Sequence, residues 1–143
     1  MENKVTHKLL NWPLALHKYV ASVRETPFEW GKFDCVLFAV SCVEAMTGKP
    51  IAKPELTYTD EAGAKALAAE VSLIAELKSQ LGALEVPFKM MQQGDLIIYK
   101  EDGLEKTNVC LGSTVAVAWP NKGVVLMPLS RCPQENAIVL RVN

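Results

Sequence analysis

The chain has 143 residues, half of them apolar and 22% charged, with a formal net charge of -1. That composition fits one compact domain, residues 1–143, with a core of its own and no room for a second. Near-neutral charge without a Lys/Arg cluster removes the electrostatic basis for nucleic acid or an anionic membrane as the main partner.

The opening MENKVTHKLL lacks the basic-then-apolar order of a signal peptide. The longest apolar stretch, CVLFAVSCV, has nine residues, far from the roughly 20 that cross a bilayer. The expectation is a cytoplasmic protein with no membrane insertion. Four cysteines, Cys35, Cys42, Cys110 and Cys132, show no C-x-x-C spacing, so free thiols are expected and neither a metal nor a cofactor. Cys35 and Cys42 on one helix would lie about 10 Å apart, too far to bridge.

Residues 1–10 read as an N-terminal extension. Asn11 can then cap a helix with Pro13 in its first turn, and Trp12, Leu16, Tyr19, Val20 and Val23 share one face. Pro27 restricts the residue before it, so this helix should stop near Thr26. The segment PFEWGKF is too irregular for a helix and reads as a packed aromatic loop. Asp34 can cap the next helix, whose positions 35, 38, 39, 42 and 46 form an apolar stripe, with Thr47-Gly48 closing it. Leu37 and Val40 fall off that stripe, so the helix is apolar nearly all round and should be central.

Asp60 can start an Ala-rich helical stretch with a second start at Ser72 and a stop at Gly82, offering Ala64, Leu67, Ala68, Leu77 and Leu81 to a core. From Pro87 the pattern becomes β-rich: DLIIY, TNVCLG, TVAVAW, GVVLMPL and AIVLRV read as four or five antiparallel strands. Helices first and a sheet afterwards make an α+β domain.

Chemistry centres on Cys35. A thiol in the first turn of a helix feels the positive end of the dipole and can be reactive. Acyl transfer still needs a base, normally an imidazole, and the sequence holds only His7 and His17. His17 should sit at the edge of its helix's apolar face and His7 in the extension. The alternative reading makes Cys35 a small apolar residue packed at a helix start, like Cys42. Asp34 reads as a cap rather than an acid, and Asp95 as a turn residue at strand entry. Cys110 and Cys132 read as packing or loop residues. Trp12, Trp30 and Trp119 are core anchors or, alternatively, a sugar-binding platform. There is no Gly-rich phosphate loop, metal-ligand cluster or pair of catalytic carboxylates in the pattern.

The segment PFEWGKFDCVLFAVSCVEAMTG resembles a family of small phage-encoded proteins related to NlpC/P60 peptidases, which show P-F-x-W-G-x-x-D-C-x-x-F. MMQQGDLIIY resembles the strand that follows the helical half in NlpC/P60 domains, and LGSTVAVAWPNKGVVLMPL the strand pair after it. The resemblance runs from about Pro27 to Leu140. It implies a papain-like α+β fold, with N-terminal helices and a central Cys-bearing helix packed on a C-terminal antiparallel sheet.

In that family Cys35 would be the catalytic nucleophile or its remnant. The histidine would fall near Lys106, Thr107 or Asn108, and a third polar residue among Val117, Ala118 and Trp119; neither is there. The resemblance therefore implies a phage tail-assembly or tail-tip protein with a degenerate site, present in the host cytoplasm during assembly and then in the virion tail. Its partners would be other tail proteins, with peptidoglycan as a candidate ligand. The alternative is an active cysteine peptidase or amidase on cell-wall peptides, with His17 or a partner supplying the base.

Overall fold

A computed structural model describes residues 7–51 and 58–142. Its helical half comprises α1 (Trp12–Ser22), α2 (Cys35–Thr47), α3 (Glu61–Glu70) and α4 (Leu73–Leu81). Strands follow: β1 (Leu84–Val86), β2 (Leu96–Glu101), β3 (Leu104–Cys110), β4 (Thr114–Trp119), β5 (Gly123–Pro128) and β6 (Ile138–Arg141). They form one antiparallel sheet in the order β1-β6-β2-β3-β4-β5. The domain is α+β as expected. Among the described residues the sheet has six strands rather than four or five, because LEV lies before Pro87 and is too short to show a period.

Helix signals in the sequence correspond to real caps. Asp34 accepts from the Leu37 amide, Asp60 from Gly63 and Ser72 from Ala75. Gly48 and Gly82 close α2 and α4 in the left-handed region. Two expectations need correction at α1. Asn11 occupies the N-cap position but its side chain makes no capping bond, since its backbone (φ -99°, ψ 26°) is not extended. The helix also stops at Ser22 rather than Thr26, and turns through Val23 to Thr26 carry the chain onward.

The start of α1 is tied to the end of α2, where the Leu9 amide donates to Met46 O at 2.8 Å. The extension expected over residues 1–10 is therefore docked by Leu9, while residues 1–6 lie outside the described residues. Helix α2 is the centre of the domain. Phe38, Ala39, Cys42, Val43 and Met46 are fully buried against Leu16 and Val20 of α1 and against Leu96, Ile98, Val109 and Ala116 of the sheet. A smaller cluster of Ile97, Tyr99, Val115, Cys132 and Val139 covers the opposite sheet face, packed by Phe88 and Leu129, which begin two single-turn 3-10 helices.

Glycines stand where the two motif segments touch other chain. Gly31, at φ 80°, lies so close to Tyr58 O that any side chain would collide with it. Gly94, at φ 91°, leaves 2.8 Å between a notional Cβ and the Trp12 ring. The first fixes the aromatic loop before α2, and the second seats the entry of β2 against α1.

Candidate functional site

Asp34 and Cys35 start α2 at the middle of the molecule. Asp34 is buried, accepts from Leu37 N at 3.0 Å and Gly31 N at 3.1 Å, and takes the Tyr58 hydroxyl on Oδ2. With three donors on two oxygens, it acts as the cap the sequence indicates. That bond pushes the Tyr58 phenol upward, after burial as the larger cause.

Cys35 lies where the sheet splits. Strands β2 and β3 pair along six residues, but β3 and β4 pair only at Val109↔Ala116 and Cys110↔Val115. Cys110 donates its amide to Asp95 O on the β2 side, so by strand alternation the amides of 105, 107 and 109 face β4. Below Val109 the β4 backbone has drawn away, and the Cys35 sulfur takes its place. It donates to Glu105 O at 3.6 Å and receives the Thr107 amide. Burial pushes the thiol up to about 11; the Thr107 amide offsets part of this, Asp34 raises the value, and the Lys106 ammonium lowers it. The helix dipole expected to activate Cys35 is thus outweighed by desolvation.

Neither histidine reaches this point. His17 is exposed and hydrogen-bonded to Gln93 at 2.7 Å. Gln93 precedes Gly94, whose notional Cβ lies 3.1 Å from Met46 Sδ. Met46 is eleven residues along α2 from Cys35, so His17 is at the other end of the helix, about 16 Å away by rise. His7 is exposed and precedes by two residues Leu9, whose amide bonds Met46 O at that same end.

Among the family-implied positions, Lys106 sets its ammonium 5.7 Å from the Trp119 ring centroid. Thr107 Oγ1 and Asn108 Oδ1 are buried without a hydrogen-bond partner among the described residues, while Asn108 Nδ2 donates to Cys132 Sγ. Val117 and Ala118 are buried on β4. A small cavity of about 40 Å³ lies in the split, bounded by Cys35, Trp30, Tyr99, Lys106, Ala118 and Trp119. Trp30 and Trp119 thus share a wall, whereas Trp12 packs at Gly94 and does not join them.

Cys35 also borders a larger cavity, of about 100 Å³, on the other side. Its walls are mostly apolar: Val40 and Leu37 from α2, Ala64 and Ala68 from α3, Leu73 and Leu77 from α4, and Leu104 from β3, with Trp30 and Tyr58. Three carboxylates, Asp34, Glu76 and Glu105, interrupt this lining. Sequence reasoning missed Glu105 and the cavity, since alternation in a strand marks a polar residue as outward and carries no hint that α3 and α4 roof it.

The remaining candidates are structural. Asp95 is fully buried and grips Arg141, with Nε to Oδ1 at 3.0 Å and Nη2 to Oδ2 at 2.8 Å, while Arg141 also donates to Met90 O. It holds its turn through the Gln92 amide as well. All four cysteines are buried free thiols. Among the described residues no group of three His, Cys, Asp or Glu is placed to hold a metal ion, and no helix is long and apolar enough to cross a membrane.

No curated protein matches the chain in sequence. Residues 7–135, which include both cavities' described walls, match the model of a domain of unknown function, DUF6950, and the chain belongs to that family.

Proposed function

We propose that the protein is a papain-like domain of the NlpC/P60 type that binds rather than cuts, and that it serves assembly or a structural contact in a phage tail. The observation that carries the non-hydrolytic part is the state of Cys35. Its sulfur is spent on the backbone of β3, is held protonated to about 11, and has both histidines at the far end of α2. A thiol so placed is neither deprotonated at neutral pH nor served by a base. What supports the fold assignment is a Cys-headed central helix packed on an antiparallel sheet, with the W-G-x-x-D-C and G-D-L segments in the family's order. The tail role rests on the resemblance of those segments.

Incubation with peptidoglycan peptides should give no cleavage by the protein. Cleavage abolished by Cys35→Ser would overturn the non-hydrolytic reading. Phage made without the protein should yield defective tails, and normal tails would refute the assembly role. One observation favours a second reading, a cysteine hydrolase: the Lys106 ammonium acts on the thiol from the cavity in the sheet split. It requires an alkylation rate at Cys35 that reaches half its maximum well below pH 9.

A further inference from the structure

We propose that the cavity beneath α3 binds a small primary alkylammonium, with the ammonium on Glu105 and the hydrocarbon against Ala64, Ala68 and Leu77. Glu105 is 8% exposed and lines the cavity; its Oε1 accepts from the Leu73 amide at 3.3 Å, and among the described residues no protein donor meets Oε2, which is not sealed off but left open to a water-sized molecule. A buried carboxylate is stable only when it is hydrogen-bonded or paired. Here the compensation is partial.

The wider charge balance points the same way. The amide that Glu105 accepts from belongs to the N-terminus of α4, which also carries Glu76 in its first turn. The third carboxylate, Asp34, sits at the N-terminus of α2. Each helix start is worth roughly half a positive charge, so two starts against three carboxylates leave roughly two negative charges in excess, and among the described residues no Lys or Arg lines the cavity. A ligand that completes this site must bring a positive charge and donors on a small apolar body. The volume, about 100 Å³, is of the order that admits a benzene-sized molecule, which suits a four-carbon chain. An anion or a sugar meets neither the charge nor the apolar wall.

The inference deepens the binding reading given above, and the two fail separately, since peptide cleavage bears on Cys35 and leaves the ligand of this cavity undecided. The full ¹⁵N-labelled chain is titrated at pH 7 with n-butylamine, n-butanol and butyrate, following the Leu73, Glu105 and Ala68 amides. Butylammonium should move these signals and bind about tenfold or more tightly than butanol, the worth of one charge-assisted hydrogen bond, while butyrate should not bind.

Glu105→Gln keeps an acceptor for Leu73 and should make the amine and the alcohol equal. Ala68→Leu, which fills the cavity, should abolish the shifts. Equal binding of amine and alcohol to the native chain, or an amine affinity indifferent to both variants, overturns the proposal; the native comparison decides the matter even if a variant fails to fold. A parallel titration with Nα-acetyl-lysine methylamide identifies the source. Binding like that of butylammonium supports a lysine side chain of a partner, and its absence beside butylammonium binding supports a free amine.

Discussion

Removing the sulfur of Cys35 would leave the Thr107 amide and the Glu105 carbonyl facing β4 with no partner in a buried split. Such groups cost about 1–3 kcal/mol when orphaned. Cys35→Ala should therefore lower unfolding stability by that amount, and Cys35→Ser, which keeps a donor and an acceptor, by less. A merely apolar role predicts the reverse order, so urea titration of both variants distinguishes them. The thiol's titration gives a second expectation. Below pH 9.0 both folded and unfolded chains hold the proton, and the contribution is fully present. Between 9.0 and about 11 the unfolded chain releases it first, so stability falls as pH rises through that window. The native chain should lose roughly 2–3 kcal/mol more than Cys35→Ala by pH 11, from about two pKa units; parallel pH profiles for the two chains would contradict this.

Helices announce themselves by local chemistry, and strands in this chain do so less completely. Asp34, Asp60 and Ser72 cap within three residues of themselves, so three helix starts could be read from neighbours alone. Strand β1 draws its existence from β6, more than fifty residues later, and nothing within LEV signals that pairing. Asp95 shows the same limit: its turn was legible, but its partner Arg141 lies 46 residues on. The pair clasps the entry of β2 to β6, with Asp95 fully buried and Arg141 23% exposed. Arg141→Ala would strand a buried carboxylate, which costs about 3–5 kcal/mol. Asp95→Asn with Arg141→Met removes both charges and should recover much of that loss, as measured by chemical denaturation of the single and double variants. Equal stability of Arg141→Ala and the native chain would show that the clasp contributes nothing.

Across the whole domain, packing is dense around α2 and loose under α3. The sequence reading located the dense part, because an all-apolar helix can only be central. It placed Ala64 and Ala68 toward a core as well, but small side chains at helical spacing do not say whether the opposing wall closes on them. Here it does not: α3 leaves about 100 Å³ between itself, α2 and α4. At about 24 cal/mol per Å³, a sealed void of that size withholds roughly 2 kcal/mol from the fold, and this one, which opens partly to solvent, withholds less, a sacrifice that binding sites commonly make. Filling it should return part of that energy. Ala68→Leu is expected to stabilise the chain by about 1–2 kcal/mol, less if its rotamer is forced. Leu77→Ala enlarges the same void from the α4 side and should cost about 2–5 kcal/mol. Denaturant midpoints that move in opposite directions for these two variants, with unchanged slopes, are the expected result. A destabilised Ala68→Leu would mean that the space closes in solution, and the binding site argued from Glu105 would lose its volume with it.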